Sequence, residues 1–244
     1  MQINFIGTGG AFDFQLGNSA ALLDFRGHRI LIDCGNSTYK QLREARLADT
    51  IDHILITHLH DDHVGSLSTF LLHSKYFLKA SRKANILVPS KSFLDYLCEF
   101  LRFSIPNYKD VVTFTDLSEF EGITAVDTYG LHIPEMPSFG YIFEDGEDVY
   151  AYSGDLRDPH IIFQTLEAQN YVNKKVKVFH DLNFDPNDSV HCYYKEIIPY
   201  LEKYKIYAYH LDPRDNPEDN PIPLLADFPE YLVANNPNLH FNSN

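Results

Sequence analysis

The sequence predicts an α/β chain: two β-sheets packed on each other, with helices outside, in one domain spanning residues 1–244. Three observations predict it. The order of patterns is mostly β at first, then β and α alternating twice, with helical stretches throughout. Strand-like runs such as "HILIT" are fully apolar, as expected where a layered arrangement buries strands on both faces. No repeat, low-complexity tract or Pro/Gly/Ser linker divides the chain.

The elements follow in order. "INFIG", "SAALLDF" and "HRILIDCG" read as strands separated by glycine turns. Residues 37 to 47 read as a helix capped by Ser37 or Thr38. "HILIT" is a strand, "VGSLSTFLLHSKYFLKA" has helical spacing of Leu and Phe, and "NILVP" is a strand. "SKSFLDYLCEFLRFS" is a helix with Ser90 as its cap. Strands recur at "VVTFTDL", "ITAVDTYGLH", "FGYIFED" and "DVYAYSGD", and the Asp145–Gly146 pair predicts a tight hairpin between the last two. A helix near 159 to 169, the strand "VKVFHDL", the helix "HCYYKEIIPYLEKY" and the strand "KIYAYHL" complete the order. From about residue 213 the chain is rich in Pro, Asn and Asp and is expected to be irregular.

Composition narrows the function. A hydrophobic fraction of 44% is ample for a core, and 22% charged residues argue against disorder. No apolar run is long enough for a membrane span, and the start "MQINFIGTGG" reads as a strand and turn rather than a signal peptide, so a cytoplasmic protein is expected. Cys34, Cys98 and Cys192 are dispersed and odd in number, which fits reduced thiols rather than a disulfide framework. The net charge of −14 disfavours a large nucleic-acid partner but leaves small phosphorylated molecules open, because metal ions supply local positive charge. The short basic clusters at 74 to 83 and 173 to 177 read as solvated faces.

Polar residues gather where strands end. "THLHDDH" follows "HILIT" and holds His58, His60, Asp62 and His63. In extended chain His58 and His60 project to one side, and the chain turns into a helix just after them. His132, Asp155 and His210 each follow a later predicted strand. Imidazole and carboxylate donors suit Zn²⁺, and also Mn²⁺ or Fe²⁺. Any one of these histidines alone reads more simply as a satisfied core residue; the set together does not.

The HxHxDH motif, with His, Asp and His at later strand ends, resembles the metallo-β-lactamase superfamily. That resemblance reaches to about residue 215 and implies a four-layer αββα sandwich with its site at one edge of the sheets. It implies that His58, His60 and His132 hold one metal, that Asp62, His63 and His210 hold a second, and that Asp155 bridges them. Asp33, in "LIDCG", stands where the family places an acid behind a ligand imidazole; an ordinary turn aspartate is the equal alternative.

Flanking segments narrow the branch. "LHIPEMPSFGYIFE", "YSGDLRD", "FHDLNF", "VHCYYKE" and "YHLDPRD" are similar to segments of ribonuclease Z and its phosphodiesterase relatives. By that similarity His191 is the general acid and Asp181 its support, with His180 a weaker candidate for a buried supporting role and Ser138 a contact for substrate phosphate. Gly140 to Ser153 is long enough only for a plain hairpin, so the tRNA-gripping arm of short-form ribonuclease Z is not expected. The expected function is a dinuclear metal-dependent phosphodiesterase acting on a small phosphodiester, such as a cyclic nucleotide or ribose cyclic phosphate. The alternatives are a ribonuclease Z-like endoribonuclease and a catalytically silent binding or sensor protein on the same fold. A homodimer is implied by the relatives, with the aromatic-rich helix at 93 to 103 as a possible contact.

Overall fold

The computed structural model describes residues 1–77, 83–171 and 173–235. Strands β1 (Gln2–Gly7), β2 (Ala20–Phe25), β3 (His28–Ile32), β4 (His53–Leu55), β5 (Ala84–Val88) and β6 (Val112–Asp116) lie side by side in chain order in one sheet. The first three pair antiparallel and β3 to β6 pair parallel. The second sheet repeats this plan in five strands: β7 (Ile123–Asp127), β8 (Phe139–Asp145) and β9 (Asp148–Tyr152) are antiparallel, and β10 (Lys175–Asp181) and β11 (Lys205–Tyr209) continue parallel to β9.

Strand alternation builds the layers. Tyr141, Phe143, Tyr150, Tyr152 and Phe179 point into the space shared with the first sheet. Their neighbours Ile142, Val149, Ala151 and Val178 point the other way, against Ile162, Phe163 and Leu166. Those three belong to helix α5 (His160–Ala168), which covers the second sheet with α6 (Tyr194–Ile197). Helices α1 (Thr38–Glu44), α3 (Leu67–Tyr76) and α4 (Lys91–Ser104) cover the first sheet, and the single turn α2 (Asp61–Val64) lies between β4 and α3. The result is the αββα sandwich that the sequence implied. No helix among the described residues is long and apolar enough to cross a membrane.

Several expected elements are shorter, for physical reasons. The strand expected over "ITAVDTYGLH" stops at Asp127, whose carboxylate accepts the backbone N–H of Tyr129 at 2.9 Å and turns the chain. His132 therefore sits on a loop. The helix expected from His191 to Tyr204 is only Tyr194–Ile197 with a 3-10 turn at Ile198–Tyr200. Pro199 lacks the N–H that an α-helix needs there. The described residues beyond 213 form no strand or α-helix but are not loose: Ile222, Leu224, Leu225, Tyr231 and Val233 are buried, and Tyr231 packs on Tyr207 and Phe179. Asp145–Gly146 does turn the β8–β9 hairpin, with Asp145 opposite Asp148 and Gly146 at φ 61°. In the basic stretch 173 to 177, Lys174 and Lys175 pair with Glu144 and Glu147, and Lys177 lies over the Tyr150 ring; residues 78–82 of the other fall outside the described residues.

Ser90 caps α4 as expected, its hydroxyl accepting the Phe93 N–H at 3.1 Å. Ser90→Ala should cost about 1 kcal/mol. In a chain of this length that is a fall of roughly 2–4 °C in melting temperature, measurable by thermal denaturation, with bound metal unchanged because α4 carries none of the candidate ligands.

Candidate metal centre

The candidate ligands meet at one edge, where both sheets end. Strands β9, β10 and β11 are parallel, so Asp155, Asp181 and His210 emerge together from their carboxyl ends. β3 and β4 do the same for Asp33 and His58 in the first sheet. The seam is stitched there: the Phe139 N–H at the start of β8 donates to the Thr57 carbonyl at 2.9 Å. After His60 the chain makes α2, which turns Asp62 and His63 back toward His58. That turn sits directly on Gly35, where an added Cβ would fall 1.8 Å from the Asp62 carbonyl oxygen; only glycine fits.

Seven side chains converge in two groups of four that share Asp155. His58, His60, His132 and Asp155 form one group; Asp62, His63, His210 and Asp155 form the other. Within each, one donor atom per residue lies within 4.8 Å of every other. His58 Nε2 and His132 Nε2 approach His60 Nδ1 at 3.0 and 3.1 Å. Asp155 Oδ1 lies 3.3 Å from His63 Nε2, and its Oδ2 lies 3.3 Å from His210 Nε2 and 3.7 Å from His58 Nε2. Six of the seven are buried and His60 is half-buried.

Atoms outside the ring fix how the imidazoles face inward. His132 Nδ1–H donates to the Val190 carbonyl at 2.9 Å, which leaves the Nε2 lone pair pointing in. His63 Nδ1–H donates to Asp33 Oδ2 at 2.8 Å, with the same result. Thr57 donates its hydroxyl to Asp33 at 2.9 Å and accepts from His58 Nδ1 at 3.0 Å. Asp33 also accepts the Thr57 N–H and holds a left-handed backbone, φ 62°, that aims its carboxylate at both partners. It therefore stands as the acid behind the His63 imidazole, not as an ordinary turn residue.

The electrostatics call for cations. Burial lowers the pKa of His58, and its histidine neighbours lower it further. Burial opposes charge on Asp155, yet His210 and His63 hold its pKa well below the usual carboxylate value. Burial likewise opposes charge on His63, but Asp155 and Asp33 on either side push its pKa well above normal. His63 Nε2 and Asp155 Oδ1 both aim into the centre, 3.3 Å apart, and neither has a hydrogen-bond partner outside it. The nitrogen and oxygen set fits zinc and similar divalent ions.

Beside this centre His191 Nδ1–H donates to Asp181 Oδ2 at 3.0 Å. Burial works against its charge, but Asp181 and Asp155 raise its pKa to about 9. His191 and His210 line a cavity of about 470 Å³ with Asn183, Phe184, Asp185, Asp188 and the 211–215 loop. His180 lies behind: it is fully buried, stacks on Phe163, and its Nδ1–H donates to the Asp181 carbonyl at 2.8 Å. Ser138 is not brought to the cavity. It is 1% exposed, and its hydroxyl accepts from Thr128 Oγ1 at 2.9 Å.

Sequence reasoning missed three supports. Thr57 links Asp33 to His58; Asp188 Oδ1 accepts the Val190 and His191 N–H groups at 2.7 and 3.0 Å; and Asn183 Nδ2 donates to the His191 carbonyl at 2.8 Å. The Asp188-x-x-His191 spacing is a local turn signal that could have revealed the second.

Comparison with known proteins agrees with this geometry. A family model described as "Anti-Pycsar protein Apyc1" matches residues 1–223. A protein of that name from Bacillus phage BSP38 is 33% identical over 243 residues, covering 89% of this chain and 91% of the relative. Among solved structures, the metallo-β-lactamase fold protein YhfI from Bacillus subtilis superposes with a TM-score of 0.64 at 18% identity, covering 86% of this chain and 85% of its own. Unliganded yeast PDE1 superposes at 0.66 and 15% identity, covering 88% and 89%. The fold is that of the metallo-β-lactamase proteins.

Asp62→Ala should lower bound metal by about one equivalent per chain by elemental analysis, since Asp62 belongs to one group only. Asp33→Ala leaves every ligand in place but frees two imidazoles to turn. It should weaken metal affinity roughly 10–100-fold, read by competition with a chromogenic chelator.

Proposed function

The chain belongs to the Anti-Pycsar protein Apyc1 family, and from that premise we propose that it is a dinuclear metal-dependent phosphodiesterase that hydrolyses cyclic nucleotides. The observation that carries the reading is the sharing of Asp155 between two four-residue groups. In this reading His58, His60 and His132 hold one ion, Asp62, His63 and His210 hold the other, and Asp155 bridges. Zinc is the proposed metal, with Mn²⁺ or Fe²⁺ as alternatives. When bound, the ions supply an activated water and positive charge for the phosphoryl group.

The chain's own residues supply the rest. Asp181 accepts from His191 Nδ1, so the other ring nitrogen, Nε2, is left to serve the cavity. A protonated His191 donates from Nε2 to the departing alkoxide oxygen, and Asp181 steadies the charge on the ring. Asn183 and Asp188 grip its backbone and fix where the ring stands.

Two features favour a small substrate over a long RNA. β8 and β9 are joined by two residues only, so no arm rises from that hairpin. Asp185, Asp188, Asp212 and Asp215 line the cavity and repel an extended polyanion.

The test is a metal-replete assay across cyclic mononucleotides, cyclic dinucleotides, 2′,3′-cyclic phosphates and precursor tRNA. Turnover of a cyclic mononucleotide is expected. Cleavage of precursor tRNA without turnover of any cyclic nucleotide selects the endoribonuclease instead, and metal binding with no turnover at all leaves a silent binding protein. His191→Ala should retain its metal and slow hydrolysis about 10²–10⁴-fold. With a p-nitrophenolate leaving group, which needs no proton, the loss should shrink; an equally large loss sinks the general-acid assignment.

A further inference from the structure

The loop between β1 and β2 displays two side chains for which the fold gives no packing reason. Phe12 and Phe14 are each 91% exposed, more than any other large hydrophobic residue among the described residues. Burial of a phenyl ring is strongly favourable, and this loop is built to prevent it. Asp13, between them, accepts the N–H groups of Gln15 and Leu16 on Oδ1 at 2.8 and 2.9 Å. Its carbonyl accepts the Gly17 N–H at 3.1 Å, its own N–H donates to the Gly10 carbonyl at 3.3 Å, and Asn18 Nδ2 donates to the Ala11 carbonyl at 3.3 Å. The backbone on both sides of each ring is thus pinned while the rings stand in solvent.

The loop borders the metal centre. The His210 N–H donates to the Thr8 carbonyl at 2.8 Å, and a Cβ on Gly10 would lie 3.8 Å from His210 Nε2, the atom that faces Asp155. Phe12 follows two residues later, so its Cα is within roughly 7 Å of that of Gly10. Asp212 and Asp215 of the 211–215 loop, which follows His210, line the cavity. The loop that carries the two rings therefore passes beside His210, at the edge of a cavity lined by Asp185, Asp188, Asp212 and Asp215. An exposed aromatic ring offers its face to another planar, uncharged group.

We propose that Phe12 and Phe14 bind substrate by stacking on the nucleobase of a cyclic nucleotide whose phosphate lies at the metal centre. The inference rests on the phosphodiesterase reading and adds the residues that hold the base. Every base has a π-face, so stacking contributes affinity with little choice among bases. The rings govern KM and leave the proton transfer and metal ligands untouched.

The test compares wild-type with the F12A/F14A double variant and the conservative F12Y/F14Y variant. Substrates are purine and pyrimidine cyclic mononucleotides and the same cyclic ribose phosphate lacking a base. The expected result is a rise in KM of roughly 5–150-fold for every base in F12A/F14A, with kcat and metal content unchanged. F12Y/F14Y should restore KM, and the base-free compound should not distinguish the three proteins. Because both rings are exposed, thermal stability should not move. An unchanged KM overturns the proposal, as does an equal loss with the base-free compound. A fall in sedimentation mass that accompanies the loss also overturns it, because the rings would then join subunits. Wild-type turnover of cyclic nucleotides with an unmoved KM in F12A/F14A removes the stacking role alone; no wild-type turnover removes the phosphodiesterase reading as well.

Discussion

The structure depends on one electrostatic fact: imidazole lone pairs and carboxylate oxygens from distant parts of the chain are forced together in one small buried space. Asp33, Thr57 and Val190 engage the outward nitrogens of His63, His58 and His132 and so fix the lone pairs inward. Asp155 adds a buried carboxylate between the two groups. Protonation of His63 between Asp33 and Asp155 offsets part of that crowding, and a divalent cation would offset it most directly. The close approach of α2 to Gly35 and the left-handed backbone at Asp33 hold this geometry in place.

Much of the centre was legible because its residues sit beside short, strongly patterned strands. The strand in "HILIT" is present, shortened to His53–Leu55, ahead of His58, His60, Asp62 and His63, as are the strands before Asp155 and His210. What was not legible depends on contacts distant in sequence. Thr57 reads as an ordinary strand residue until Asp33 arrives 24 positions away. His132 looked like a strand terminus because the turn that frees it is made by one Asp127 side chain. The polar tail concealed its packing because its buried residues follow no helical or strand period. Ser138 looked available in "PSFGY", but Thr128 had already engaged its hydroxyl.

His191 shows how a broken helix serves a site. A continuous helix from 191 would have placed this imidazole by helical geometry alone. Instead Asn183 bridges to Tyr193 in extended conformation, and Asp188 caps a tight turn just before the histidine. The ring is then placed by three contacts from outside any helix: Asp181 on Nδ1, Asp188 on the backbone N–H and Asn183 on the carbonyl. Positioning of this kind keeps the second nitrogen free for chemistry in a way that a packed helix face would not.

The two halves of the chain each build a hairpin followed by parallel strands, and each supplies an incomplete ligand set. The first half provides His58, His60, Asp62 and His63; the second provides His132, Asp155 and His210. Neither group of four can be assembled from one half: His132 and Asp155 complete the first, His210 and Asp155 the second. A bound ion is therefore also a tie across the seam between the sheets, alongside the Phe139–Thr57 backbone bond. Because a ligand that binds only the folded form stabilises it by mass action, a cation held by either group would also hold together the two sheets that create it. The same seam explains why the site lies at the sheet edge and not in the core. Only there do strand ends from both halves leave the hydrogen-bonded ladders and come close enough to share a cation.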